Sequence, residues 1–131
     1  MNDKQRAALI EEAIRVRENA YAPYSDYKVG AAILAKSGAI YTGCNFENAA
    51  FGAGVCAERV ALGNALSSGE REFEAVCVCG SSAEITPCGI CRQSLAEFGN
   101  AVVICCDPSG ETREYTLAEL LPGAFSKNHL E

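Results

Sequence analysis

The sequence predicts an α/β protein in three layers, α/β/α, with a mixed five-stranded sheet and helices on both of its faces. Three observations carry this. Helical and strand-like segments interleave along the chain as helix, two strands, helix, strand, helix, strand, strand, helix, the pattern of a shared sheet covered by helices. Two of the strand segments, 75–80 and 101–106, are apolar runs without alternation, as expected where both sheet faces are covered. The 131 residues contain no internal repeat, low-complexity tract or linker and are enough for one core, so residues 1–131 read as a single domain.

Each element has its own local reason. Asp3 is the expected cap of a helix starting at Lys4, and Leu9, Ile10, Ala13, Ile14 and Val16 keep helical spacing through about Tyr21 before Pro23 stops it. Residues 21–27 gather three tyrosines around Pro23, Ser25 and Asp26, which reads as an ordered loop. Short apolar runs at 29–35 and 39–44, joined by Lys36, Ser37 and Gly38, predict a hairpin. The Gly-, Ala- and Asn-rich segment 45–55 is expected as loop, and helical spacing returns over 56–66. After the strand at 75–80 come a loop at 81–87, a helix at 88–98 stopped by Gly99, and the strand at 101–106. Asp107, Pro108, Ser109 and Gly110 turn the chain into a last strand near 112–115, and Thr116 caps a short helix over 117–121.

Composition narrows the function classes. Eight cysteines among 131 residues fall short of a disulfide scaffold, and the segment MNDKQRAALIEE has no basic cap followed by an apolar run, so a cytoplasmic protein with reduced thiols is expected. No stretch approaches the roughly 20 apolar residues of a membrane span. Eleven basic against seventeen acidic side chains, net −6 and without a basic block, weigh against nucleic acid, whose phosphates call for Lys and Arg. A small, modestly polar substrate fits this balance.

Three cysteines stand apart. Cys88 and Cys91, in PCGICRQ, share one face at a predicted helix start and can converge on one metal ion. Cys56, in VCAER, sits at another helix start, where free N–H groups and the helix dipole favour the thiolate that zinc requires. Three thiolates without a fourth ligand describe an open, catalytic type of zinc site. Glu58, in the first turn after Cys56, can project toward the same space and serve as a proton carrier. Arg59 and Arg92 are placed to offset the negative charge of such a site, with Arg59 expected to donate to a ligand sulfur. Cys77, Cys79, Cys105 and Cys106 read as core residues on buried strands, while Cys44 has no assigned role and His129 is expected to be exposed.

Taken in order, YAPYSDYKVGAA, GCNFENAA, CAER, PCGICRQ and ELLPGAF make the chain resemble the zinc-dependent cytidine deaminase family, in its short, three-cysteine branch. The resemblance covers nearly the whole chain. It implies the cytidine deaminase-like fold, one Zn2+ per chain on Cys56, Cys88 and Cys91, and Glu58 as the proton shuttle. It further implies hydrolytic deamination of cytidine and 2′-deoxycytidine in pyrimidine salvage, with Asn45 and Glu47 at the ribose hydroxyls and with Tyr27 and Ala57 at the substrate. Phe125 matches a residue that family members insert into a neighbouring subunit's site, which implies a homotetramer with active sites at subunit interfaces. Tyr27 stands where the family tends to carry phenylalanine, and Phe51 where tyrosine is common.

Competing readings follow from the same residues. A CxxC pair at a helix start is also how thiol redox proteins present their cysteines. A structural zinc module would need a fourth ligand, for which Cys44 and His129 are the candidates. Within the deaminases, a nucleoside-like antibiotic or a modified cytosine nucleoside is the alternative substrate.

Overall fold

A reciprocal cap opens the chain in the computed structural model, which describes residues 1–130. The Asn2 side chain accepts from the Gln5 N–H while Gln5 returns to the Asn2 N–H, so α1 spans Asp3–Arg17 and its cap is Asn2, not Asp3 as expected. The helix also stops short of Tyr21. Beyond Arg17, the N–H groups of Glu18, Asn19 and Ala20 turn to carbonyls three residues back, and the Tyr21 N–H is taken by the Asn45 carbonyl. The loop that follows is therefore tied to the segment after the hairpin.

The remaining elements are β1 (Gly30–Ala35), β2 (Ile40–Cys44), α2 (Ala57–Ser67), β3 (Phe73–Cys79), α3 (Gly89–Ala96), β4 (Val102–Cys106), β5 (Thr112–Thr116) and α4 (Leu117–Leu120). Their order is the one expected. Two short 3-10 turns, Phe51–Ala53 and Lys127–Leu130, fall in segments expected to be irregular. In space the strands run β2-β1-β3-β4-β5, with β3 and β4 parallel and every other neighbouring pair antiparallel. The parallel pair needs a crossover, which α3 supplies.

Both faces of the sheet are covered. Leu9 and Ala13 of α1 pack on Ala32, Leu34, Ala75 and Ile104 on one side. On the other, Ala61, Leu62 and Ala65 of α2, Leu95 of α3 and Leu117 of α4 pack on Ile33, Val76, Val78 and Val103. Strand alternation sends Cys77, Cys79 and Cys106 to the α1 face and Cys105 to the opposite one, all buried, as the sequence predicts. Two glycines permit this close stacking. A Cβ on Gly30 would lie 2.2 Å from the Ala13 carbonyl oxygen of α1, and one on Gly43 would lie 2.4 Å from the Ala61 nitrogen of α2. With α2 held so closely to β2, and α3 following the loop that leaves the carboxyl end of β3, the starts of the two helices meet.

Candidate active site

Cys56 and Cys88 occupy the same position on two helices: each is the N-cap residue, of α2 and α3 respectively, with extended backbone and no side-chain capping bond. Cys91 lies one turn into α3. The three Sγ atoms fall within 4.8 Å of one another, and those of Cys56 and Cys88 are 3.7 Å apart. Tetrahedral zinc with Zn–S bonds near 2.3 Å spaces neighbouring sulfurs by roughly 3.8 Å, so the cluster fits that ion. Among the described residues it is the only group of three or more such ligands gathered in this way, and no fourth one joins it.

The electrostatics favour a thiolate here. The hydrogen bond from Cys91, with Arg59 and Cys88 adding to it, holds the Cys56 thiol down at about 5 against the cost of burial. Cys91 moves the opposite way, pushed up by its bond to Cys56 and by burial. The Arg59 guanidinium is close enough to Cys91 and Cys56 to feel both sulfurs, and its buried Nε has no hydrogen-bond partner. Glu58 is 4% exposed, the one buried charged side chain among the described residues. Burial, with the negative charge of Cys56 behind it, raises the Glu58 carboxyl above the usual carboxylate range.

Cys56, Cys88, Glu58, Ala57 and Asn45 line one cavity of about 160 Å3. Val29, Ile85 and Thr86 complete its wall and were not singled out from sequence, although Ile85 and Thr86 directly precede PCGIC. Asn45 accepts from the Val29 N–H (2.9 Å) and donates to the Tyr27 carbonyl (3.0 Å), leaving one amide N–H uncommitted. Glu47 accepts from the backbone N–H groups of Tyr24 and Ser25 and from the Ser25 hydroxyl, bonds that hold its carboxyl below the usual range. Both side chains thus fasten the tyrosine loop 21–27.

Other expected residues lie elsewhere. Tyr27 is half-exposed and outside the lining; its hydroxyl rests over Gly80 and accepts from the Ser81 N–H at 3.4 Å. Phe51 is 81% exposed and meets Tyr24 edge to face, with ring centroids 6.1 Å apart. Phe125 is 57% exposed, stacks on His129, and does not line the cavity of its own chain. Cys44 pairs with Gly30 in the sheet and does not join the sulfur cluster; nor does His129, whose Nδ1 accepts from the Ser126 N–H. Arg92 departs from expectation. Its guanidinium does not serve the sulfurs but donates to the Pro87 carbonyl, the Leu120 carbonyl and the Thr86 hydroxyl, because three acceptors converge on its fork.

Residues 3–106 match the family model described as the cytidine and deoxycytidylate deaminase zinc-binding region. The chain belongs to this deaminase family. The cytidine deaminase of Sporosarcina psychrophila is 49% identical over 125 residues, covering 93% of this chain and 92% of that one. The crystal structure of cytidine deaminase from Burkholderia pseudomallei superposes with a TM-score of 0.87 at 45% identity, covering 95% of this chain and all of that one. A more distant relative, blasticidin-S deaminase of Bacillus cereus, is 30% identical and spans 80% of this chain and 83% of its own. This deaminase chain thus carries its family's zinc-binding region, and the three clustered thiols are what it has to hold the ion. Membership also explains why the CxxC pair is completed by a third cysteine instead of standing alone as a redox couple.

Proposed function

We propose that the chain is a zinc-dependent cytidine deaminase, converting cytidine and 2′-deoxycytidine to uridine and 2′-deoxyuridine with release of ammonia. The observation that carries this reading is Glu58: a buried carboxylate in the same cavity as two of the clustered thiols, yet outside the ligand set. Cys56, Cys88 and Cys91 would hold the metal. Lewis acidity at these thiolates, supplied by zinc when bound, makes water a nucleophile at neutral pH.

The chain's own residues do the rest. Glu58 takes a proton from the attacking water and delivers it to N3 of the cytosine ring, which makes C4 electrophilic. Addition at C4 is followed by transfer of the remaining hydroxyl proton through Glu58 to the amino group; the C4–N bond breaks and ammonia leaves. A carboxyl whose pKa is raised by burial suits a group that must both accept and return a proton. Arg59 draws negative charge from the sulfurs. The uncommitted N–H of Asn45 and the remaining acceptor capacity of Glu47 suit ribose hydroxyls, and the Glu47 carboxylate disfavours a phosphate there, so free nucleosides are the substrates.

In this reading the chain is a single catalytic domain that works as a cytoplasmic homotetramer in pyrimidine salvage. Two observations support the assembly. The 160 Å3 cavity is small beside the roughly 300–1,000 Å3 of ordinary small-molecule sites, so further walls are needed. Phe51, Ile90 and Phe125 meanwhile stand exposed, with Phe125 available to a neighbouring chain's site. No helix among the described residues is long and apolar enough to cross a membrane. The test is loss of the cytidine absorbance band with stoichiometric ammonia, measured beside metal content. About one zinc per chain with turnover of cytidine is expected; turnover of blasticidin S and not cytidine would overturn the substrate.

A further inference from the structure

Arg92 is the residue after the ligand Cys91, yet its three hydrogen bonds lead away from the sulfurs. Nε donates to the Pro87 carbonyl at 2.6 Å, one terminal nitrogen to the Thr86 hydroxyl at 2.9 Å and the other to the Leu120 carbonyl at 2.7 Å, all partly buried. Two of the acceptors belong to the loop that carries Cys88 and walls the cavity. The third is the last residue of α4, from which the chain runs on to Phe125. Gln93, the next residue of α3, donates to the Phe125 carbonyl at 2.9 Å.

We propose that Arg92 is a positioning residue: it fixes the Thr86–Cys88 loop relative to Cys91 and ties it to the arm at 120–125, so that metal retention and base-pocket shape depend on one guanidinium. The proposal rests on the zinc deaminase reading. The physical case is one of geometry. Cys88 and Cys91 sit on one helix start, but the Cys88 side is approached by an irregular loop whose backbone lacks a regular ladder. A loop of this kind holds a ligand sulfur in place only if its polar groups are pinned, and the planar fork of arginine pins two of them, the Thr86 hydroxyl and the Pro87 carbonyl, while its third bond anchors the pair to Leu120. A lysine ammonium keeps the charge but cannot span the same three acceptors.

The experiment uses the zinc-loaded protein. Arg92→Lys, Arg92→Gln and Thr86→Val are compared with wild type for zinc release to a chromogenic chelator, for KM and kcat on cytidine, and for Tm. Zinc release ten- to a hundredfold faster in both Arg92 variants is expected, with KM rising more than kcat falls and Thr86→Val moving in the same direction by less. A purely structural role would lower Tm while zinc release by the folded protein and KM stayed at wild-type values, and that result overturns the proposal. Should neither Arg92 variant fold, Thr86→Val decides: faster zinc release supports the role and unchanged release contradicts it. Wild-type protein that binds no zinc or ignores cytidine would instead defeat the deaminase reading itself.

Discussion

Cys56, the N-cap residue of α2, shows how one residue gathers several local effects: the hydrogen bond from Cys91, with the Arg59 guanidinium and the Cys88 thiol adding to it, holds its thiol at about 5 against the cost of burial. Because Arg59 is among the causes that lower it, Arg59→Gln raises the pH at which the Cys56 thiolate forms; ultraviolet thiolate absorbance of the chelated protein across pH 4–9 reads the change. Glu47 gives a second titration. Its hydrogen bonds, the Ser25 hydroxyl first, lower its folded pKa, so its hold on loop 21–27 is fully present above the unfolded value near 4.5 and is lost as pH falls through the folded one. Ser25→Ala removes the largest cause and moves that loss to higher pH, read as amide hydrogen exchange at Tyr24 and Ser25. At this scale the sequence was informative where chemistry is local: the ligands and Glu58 lie in short motifs at two helix starts. Arg92 was not legible, since a long side chain can turn to either side and one of its acceptors, Leu120, is 28 residues away.

The two helix starts meet on one face of the sheet because α2 lies close against β2, which Gly43 allows, while Gly30 allows the same close approach of α1 on the opposite face. Gly30→Ala forces a methyl to within 2.2 Å of the Ala13 carbonyl, which α1 relieves only by lifting from β1. A loss of about 3 kcal/mol is expected, at the upper end of overpacking costs, measured as a shift in denaturation midpoint at constant slope. The kinds and order of elements follow from periodicity, and the buried runs of β3 and β4 mark the covered sheet. Element ends were less legible. The Asn2–Gln5 cap competes with Asp3 within one turn, and α1 ends early because Asn45, far along the chain, draws the Tyr21 N–H away. That bridge is tertiary and leaves no local sign in the sequence.

Across the whole molecule, one chain offers an undersized cavity and several exposed aromatics, so assembly and activity are expected to rise and fall together. Phe125→Ala in particles of four 13.8 kDa chains, sized by light scattering, is expected to raise KM about tenfold while the zinc content stays at one per chain. A fully active monomer would remove the composite site. The chemistry itself is tested most directly through Glu58, which lies beside the ligands without being one of them. Glu58→Gln keeps the shape of the side chain and removes its ability to carry a proton. With zinc and cytidine turnover measured on the same sample, the expected result is one zinc per chain and a fall in kcat/KM of about 1,000-fold or more; activity within tenfold of wild type, zinc still bound, would contradict the role given to this carboxylate.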